Sequence, residues 1–380
     1  MKKETDALKK IKIITIHFGT NHGSVLQAYA LSNYLKSVGC DAQIIDYVPD
    51  RYKIWNSLVS KRRGQYPLPV ILAYYPVAVL KSFRTRKIFE GFLKKNLNLT
   101  ERYNSNEELK IKPPEAEAYI SGSDQVWNND YNGSNEFSYF LDFAPEESKR
   151  IAYAASFGKE NISEEDYVSG IKPLLKAFDA VSVRESDAQN ILNELEIPST
   201  HVVDPVFLLT KEQWKQFGNP MPKNEPYILV YVMDGLYNEL LDYAQKLKEK
   251  TGNKIYVVSF KKIKDERITR CFHLANPKDF IGLIDNADTV VTNSFHGTAF
   301  SVLFQKKFVS IGKEKYNSRM ISLLEKLDLK SHFVVSGLNL SADAVEKTIQ
   351  YNNIESAEQK LQEWIKISKE FLGNSLNIQP

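Results

Sequence analysis

The chain has little cysteine, no long apolar run and no strong excess of either charge. Its 2 cysteines among 380 residues, Cys40 and Cys271, stand far apart with no ligand spacing around them. That argues against a disulfide framework or a zinc site and fits a reducing compartment. No stretch of about 18 apolar residues occurs, so no membrane-spanning helix is expected. With 50 basic and 47 acidic side chains the formal net charge is only +3, which makes no case for nucleic acid as the main partner. The GxGxxG fingerprint of dinucleotide sites is missing. So are DxD pairs and His–carboxylate clusters with ligand spacing, and neither metal nor cofactor is expected. The amino-terminal MKKETDALKK is charged and leads into strand-like residues instead of a signal-peptide core, so a cytoplasmic location is expected.

What is present reads as α/β. The length suits two domains of middling size. Ile11 to Ile16 reads as a strand, Ser24 to Val38 as a helix with Gly39 behind it, and Gln43 to Tyr47 as a second strand, which makes one βαβ unit and a parallel sheet. Ala116 to Ser121, Arg150 to Ala155 and Ala180 to Val183 read as further strands, each ending in a polar cluster. Phe217 to Pro226 has no apolar period and is rich in proline, which marks a linker. Beyond it, Tyr227 to Met233, Lys254 to Phe260 and Thr289 to Thr292 resume the alternation. The expected organisation is a Rossmann-like domain over 1–216, a linker over 217–226, a second doubly wound domain over 227–353, and a terminal helix over 354–380. The stripe Leu361, Trp364, Ile365, Phe371 and Leu372 would pack that helix back onto the first domain.

The most informative stretch is Thr289 to Gly312, TVVTNSFHGTAFSVLFQKKFVSIG. Thr289 to Thr292 has the β-branched density of a strand covered on both faces, and Phe308 to Ile311 supplies a parallel partner. Between them, Asn293 and Ser294 end the strand, His296 and Gly297 sit in the turn, and Thr298 to Phe304 forms a helix. The start of such a helix favours phosphate or carboxylate. His296 is therefore placed either for chemistry or to cap the helix.

Other strand ends carry further candidates. Ser121, Ser123 and Asp124 offer hydroxyls and a carboxylate to sugar hydroxyls or phosphate oxygens. Asp124 also suits a cap or turn. The strand ending at Val183 delivers Arg184 just before a capping-box pattern at Ser186 to Gln189, where the guanidinium forks onto an anion or pairs with Glu185 or Asp187. The turn from His17 to Gly23 lies at the carboxyl edge of the first sheet and is a candidate ligand loop through His17 and Asn21; its glycines also serve the turn.

Together these segments resemble the polysaccharide pyruvyl transferase family. The resemblance rests on IKIITIHFGTNHGSVLQAYAL, SGSDQVWN at 121–128, RIAYAASFG at 150–158, AVSVRESDA at 180–188, VVDPVFLL at 202–209, NSFHG at 293–297 and NSRMISLLEKL at 317–327. It implies an enzyme that moves the pyruvyl unit of phosphoenolpyruvate onto two hydroxyls of a sugar as a cyclic ketal, with release of phosphate. It also implies a GT-B-like pair of Rossmann-like domains facing a central cleft, donor side in the second domain and acceptor side in the first. On this reading His296 and Asp124 are catalytic. Arg184, Ser294, Gly297, Thr298, Lys313 and Arg319 bind the donor, and His17, Asn21, Ser121, Ser123 and Trp127 face the acceptor. The family's turn commonly reads arginine, apolar, histidine, whereas this chain has Ser294, Phe295, His296. One expected cation is missing, and Lys313, Lys315 or Arg319 stand near enough in sequence to replace it. Because GT-B folds also serve nucleotide-sugar glycosyltransferases, that chemistry is the alternative, with a non-catalytic sugar-binding relative as a third reading.

Residues 61–95 stand apart. Lys61, Arg62, Arg63, Lys81, Arg84, Arg86, Lys87, Lys94 and Lys95 face one acid, Glu90, and flank the apolar run Tyr66 to Leu80. Such a segment suits peripheral contact with an anionic membrane near a lipid-linked sugar acceptor, or an apolar helix buried in the core with a basic outer face.

Overall fold

The structure, a computed structural model, describes residues 8–52, 68–134, 136–162, 165–221, 225–233, 235–313, 317–337, 345, 350 and 354–379. It contains two wholly parallel sheets. The first has seven strands, β1 (Lys9–Ile14), β2 (Cys40–Tyr47), β3 (Leu99–Tyr103), β4 (Ala118–Ser121), β5 (Lys149–Ala155), β6 (Ala180–Val183) and β7 (Thr200–His201), in the order β3-β2-β1-β4-β5-β6-β7. The second has six, β8 (Tyr227–Val232), β9 (Lys254–Ser259), β10 (Arg270–His273), β11 (Thr289–Thr292), β12 (Lys307–Gly312) and β13 (Phe333–Val335), in the order β10-β9-β8-β11-β12-β13. Each sheet reverses direction of growth beside its first strand, between β1 and β4 and between β8 and β11. Ligands of open α/β sheets bind at such switch points. The two sheets form a GT-B-like pair of Rossmann-like domains.

Sequence explains the central strands. Tyr227 to Val232 and Thr289 to Thr292 are buried at every position, as continuous β-branched and aromatic runs covered on both faces should be. One core cluster runs from Ile11 and Leu31 in the first half to Leu229, Phe280 and Phe300 in the second, so both halves share buried apolar surface. Helix His22–Ser37 lies at the junction. The proline-rich segment after helix Lys211–Phe217 is bound in place, with the Asn219 N–H donating to the Lys278 carbonyl at 3.0 Å. Helix Ile354–Leu376 lies along the first sheet, where Trp364 Nε1 donates to the His201 carbonyl at 2.9 Å and Ser368 Oγ accepts from the Val203 N–H at 2.9 Å.

Of the basic segment, Lys61, Arg62, Arg63 and Tyr66 lie outside the described residues. From Leu68 to Asn96 the chain is a single helix with Pro76 inside it. Ile71, Phe89, Phe92 and Leu93 are buried on its inner side, while Leu72, Phe83, Arg86, Lys87, Lys94 and Lys95 face out. An apolar inner face and a basic outer face thus share one helix. Among the described residues no helix is long and apolar enough to cross a membrane.

Candidate functional site

Strand β11 hands its carboxyl end directly to helix Phe295–Leu303, so His296 is in the first helical turn, not in a turn preceding a helix at Thr298. Two local contacts explain the earlier start. Ser294 caps the helix by accepting the Gly297 N–H at 3.3 Å. Gly297 is tolerated inside the turn for packing: a Cβ there would lie 2.4 Å from Thr292 Oγ1. Thr298 is fully enclosed, with its hydroxyl 2.7 Å from Ser310 Oγ and donating to the Ser294 carbonyl at 3.1 Å.

His296 crosses to the other half of the molecule. Its ring lies over the amino end of helix His22–Ser37 so closely that a Cβ on Gly23 would sit 1.9 Å from Nδ1. Its Nε2 is 3.5 Å from Asp204 Oδ2, too long for a hydrogen bond, and has no other partner. Asp204 caps a short 3₁₀ turn at Pro205–Leu208 through the Val206 N–H. Its Oδ2 accepts from Arg184 Nη1 at 2.6 Å and from Ser123 Oγ at 3.2 Å.

Arg184 is 2% exposed and is the hub of the cluster. Asp204 holds one corner of its guanidinium, Asp124 Oδ1 lies 3.6 Å from Nη2, and Glu185 Oε2 lies 3.9 Å from Nε. The Phe295 ring packs under the plane at 4.6 Å. Nε and Nη2 make no hydrogen bond although both are buried. Arg319, from the first turn of helix Ser318–Lys326, stands 6.0 Å from the same Phe295 ring. With its amide oxygen turned toward that arginine, Gln125 accepts from both Nη atoms at 3.2 Å. Asp124 itself accepts from Ser24 Oγ at 2.7 Å and adopts φ 75, a left-handed geometry that short polar residues bear best.

Charge in this enclosure is strongly coupled. Burial alone would raise the carboxyl pKa of Asp204, yet His296 and Arg184 outweigh it and hold the group well below the usual carboxylate range. Asp124 is likewise pushed down, burial being outweighed by Arg184 and His296. Glu185 goes the other way, because burial exceeds the pull of Arg184. Burial and the neighbouring Arg184 both press against the charge of Arg319. Arg184 and Arg319 thus share one buried enclosure with the acidic side chains of Asp124, Asp204 and Glu185, where Nε and Nη2 of Arg184 make no hydrogen bond.

The remaining sequence candidates lie as follows. Asn21 caps helix His22–Ser37 by accepting the Gly23 N–H. His17 is fully buried between the Thr15 carbonyl and Asp46, both at 3.1 Å. Ser121 donates to the Tyr139 carbonyl, and Trp127 is sealed against Phe140 with its Nε1 on that same carbonyl. Ser123 belongs to the cluster. Lys313 is exposed at the rim of a cleft of about 270 Å³ lined also by Phe295, Arg319, Asn293, Asn317 and Tyr131. Lys315 lies outside the described residues.

Sequence reading named Glu185 as a partner of Arg184, which lies 3.9 Å away, but missed Asp204, Ser24, Gln125 and Phe295 as members. Asp204 had a signal, a lone acid between the apolar runs Val202-Val203 and Pro205 to Leu209. Ser24 and Gln125 had none, because only the tertiary fold brings them to Asp124 and Arg319. Among the described residues no group of three or more His, Cys, Asp or Glu is placed to hold a metal ion.

The family model for polysaccharide pyruvyl transferase matches residues 21–314. The UDP-N-acetylglucosamine 2-epimerase from Rickettsia bellii is similar in structure at 12% identity, covering 97% of this chain and 96% of that chain, with a TM-score of 0.51. The UDP-GlcNAc 2-epimerase from Neisseria meningitidis bound to UDP-GlcNAc matches at 10% identity over 97% of this chain and 99% of that chain, with a TM-score of 0.50. Identities this low speak for the fold alone. No curated protein matches the chain in sequence.

Proposed function

The chain belongs to the polysaccharide pyruvyl transferase family, and we propose that it transfers the pyruvyl unit of phosphoenolpyruvate to two hydroxyls of a sugar in a surface polysaccharide or its lipid-linked precursor. The observation that supports this is the buried Arg184, whose Nε and Nη2 make no hydrogen bond and lie in one enclosure with Arg319 and His296. In this reading the two arginines hold the donor's carboxylate and phosphate, and Arg319 supplies the cation missing at Ser294. His296 takes a proton from the first sugar hydroxyl and delivers it to the donor's methylene carbon, which becomes the methyl group. Asp204 stabilises the imidazolium between those two events. The hydroxyl oxygen bonds to the carbon bearing phosphate, phosphate leaves, and the second hydroxyl closes the ketal, its proton departing with phosphate. Asp124, held as a carboxylate, serves best as an electrostatic partner of the oxocarbenium-like centre.

The outer face of helix Leu68–Asn96, with exposed Phe83, Arg86, Lys87, Lys94 and Lys95, suits the anionic headgroups around a lipid-linked acceptor. Flotation with phosphatidylglycerol vesicles checks this: binding that a Phe83→Glu, Lys87→Glu variant loses is expected, and equal binding to neutral vesicles refutes it.

Phosphate release from phosphoenolpyruvate, with envelope glycans as acceptors, tests the reaction. His296→Ala is expected to lower turnover by about 10³-fold with the circular-dichroism spectrum and melting curve retained. Undiminished turnover would remove His296 from the mechanism.

A further inference from the structure

The residues read from sequence as acceptor-facing are largely used up inside the fold: Trp127 and Ser121 bond the Tyr139 carbonyl, and His17 bonds Asp46. Another aromatic residue stands where they were expected. Tyr131 is 62% exposed and lines the cleft that Phe295 and Arg319 floor from the opposite domain. An exposed aromatic ring is ordinary by itself. This one is held in place by everything except its ring.

Tyr131 rides on the short helix Asn129–Asn132, which Asn128 caps by accepting the Asp130 N–H at 3.0 Å. The Asn132 amide donates to the Gln125 and Val126 carbonyls, each at 2.9 Å, and so ties the ledge to the loop that carries Asp124. Tyr52 donates its hydroxyl to the Tyr131 carbonyl at 3.0 Å, and the Tyr52 ring packs on Phe18 at 4.8 Å. The ledge therefore has a fixed register to both catalytic halves: through its own loop to Asp124, and through Gln125 to Arg319. Rigid backbone beneath a solvent-facing ring is the arrangement that binds a partner at low entropic cost.

We propose that Tyr131 is the stacking platform for the acceptor sugar. This rests on the pyruvyl transferase reading and names the subsite that reading leaves open. A pyranose has a C–H face that packs on an aromatic plane and an equatorial edge of hydroxyls. Tyr131 takes the face. Lys313, exposed at the rim of the cleft, takes the edge, and the diol to be bridged is turned toward Arg319 and the Phe295–His296 turn. The ring contributes area and orientation, whereas its hydroxyl is dispensable.

The test uses saturation-transfer difference NMR with the full chain, phosphoenolpyruvate present, and methyl β-D-galactopyranoside and methyl β-D-glucopyranoside as probes. Wild type and Tyr131→Phe are expected to transfer saturation to the axial C–H protons of one sugar face. Tyr131→Ala is expected to weaken that transfer at least tenfold, while the rise in melting temperature with phosphoenolpyruvate matches wild type. Unchanged transfer in Tyr131→Ala, or no transfer to either glycoside in wild type, overturns the platform. If phosphoenolpyruvate fails to stabilise wild type, the pyruvyl reading falls, and the NMR comparison among the three proteins still decides the sugar platform.

Discussion

Two histidines stand in the first turns of two helices that meet across the cleft, and their surroundings are opposite. His22, at the start of helix His22–Ser37, reaches into the second domain. It lies stacked between Phe260 and Phe280 at 4.9 and 4.7 Å, with Nε2 on the Ala275 carbonyl at 2.8 Å and Nδ1 on Tyr231 at 3.1 Å. Burial pushes its pKa down to about 4. His296 reaches the other way, onto Gly23 beside His22, and ends among Asp204, Arg184 and Asp124 with Nε2 unsatisfied. One histidine is a neutral rivet between domains, and the other stands beside a carboxylate with an unsatisfied ring nitrogen, where the proposed mechanism uses it as acid and base. Position after a strand is shared; the neighbours assign the role.

Three changes break or sharpen that contrast. The largest effect belongs to Arg184→Ala, which leaves Asp124, Asp204 and Glu185 buried without their common cation. A loss of about 3–5 kcal/mol in urea unfolding is expected, partly restored by Arg184→Lys, which keeps a charge but not the fork. Loss within about 1 kcal/mol would mean that these carboxylates titrate or reach water.

Next comes the rivet. His22 has a folded-state pKa of about 4 against 6.5 ordinarily. Between those values the unfolded chain binds a proton that the folded chain does not, so stability falls as pH falls from 6.5 to 4, by about 3 kcal/mol. His201 is lowered to about 4 as well, chiefly by burial, and adds a similar share. His332 is lowered too, chiefly by burial, so His22→Gln should remove less than half of the stability lost across this window, and turnover at neutral pH should change little. An unaltered pH slope would put the protonation elsewhere.

Gly23→Ala has the smallest energy and the sharpest target. Its methyl would collide with His296 Nδ1 at 1.9 Å. Displacing the ring by about an ångström should cost about 10²-fold in kcat, near 2.7 kcal/mol, with phosphoenolpyruvate affinity little altered because Arg184 and Arg319 are untouched. Equal losses in kcat and affinity would show that the whole turn had moved.

The strands were legible because parallel strands covered on both faces are continuous apolar runs: Ala180 to Val183 and Thr289 to Thr292 match the structure residue for residue. Boundaries drifted where side chains decide them. Helix Phe295–Leu303 begins three residues before Thr298 because Ser294 caps it, and glycine at 297 read as a turn although packing against Thr292 demands it. The family resemblance put Trp127 on the acceptor side, yet stacking on Phe140 at 5.4 Å places it in the core. Asp204 escaped notice since its partners Arg184, Ser123 and His296 lie 20 to 92 positions away in the chain. Sequence reveals which strand ends carry polar residues; only packing shows which of them share one enclosure.

The most direct test of the central claim, that Arg184, Arg319 and His296 form a phosphoenolpyruvate site, is ligand-induced stabilisation. Melting temperatures would be compared for wild type, His22→Gln and Arg184→Ala with phosphoenolpyruvate, with UDP-sugars and with phosphate alone. The account predicts a rise with phosphoenolpyruvate beyond that with phosphate in wild type and His22→Gln, abolished in Arg184→Ala. A rise with a UDP-sugar but not with phosphoenolpyruvate, or one that survives in Arg184→Ala, would contradict it.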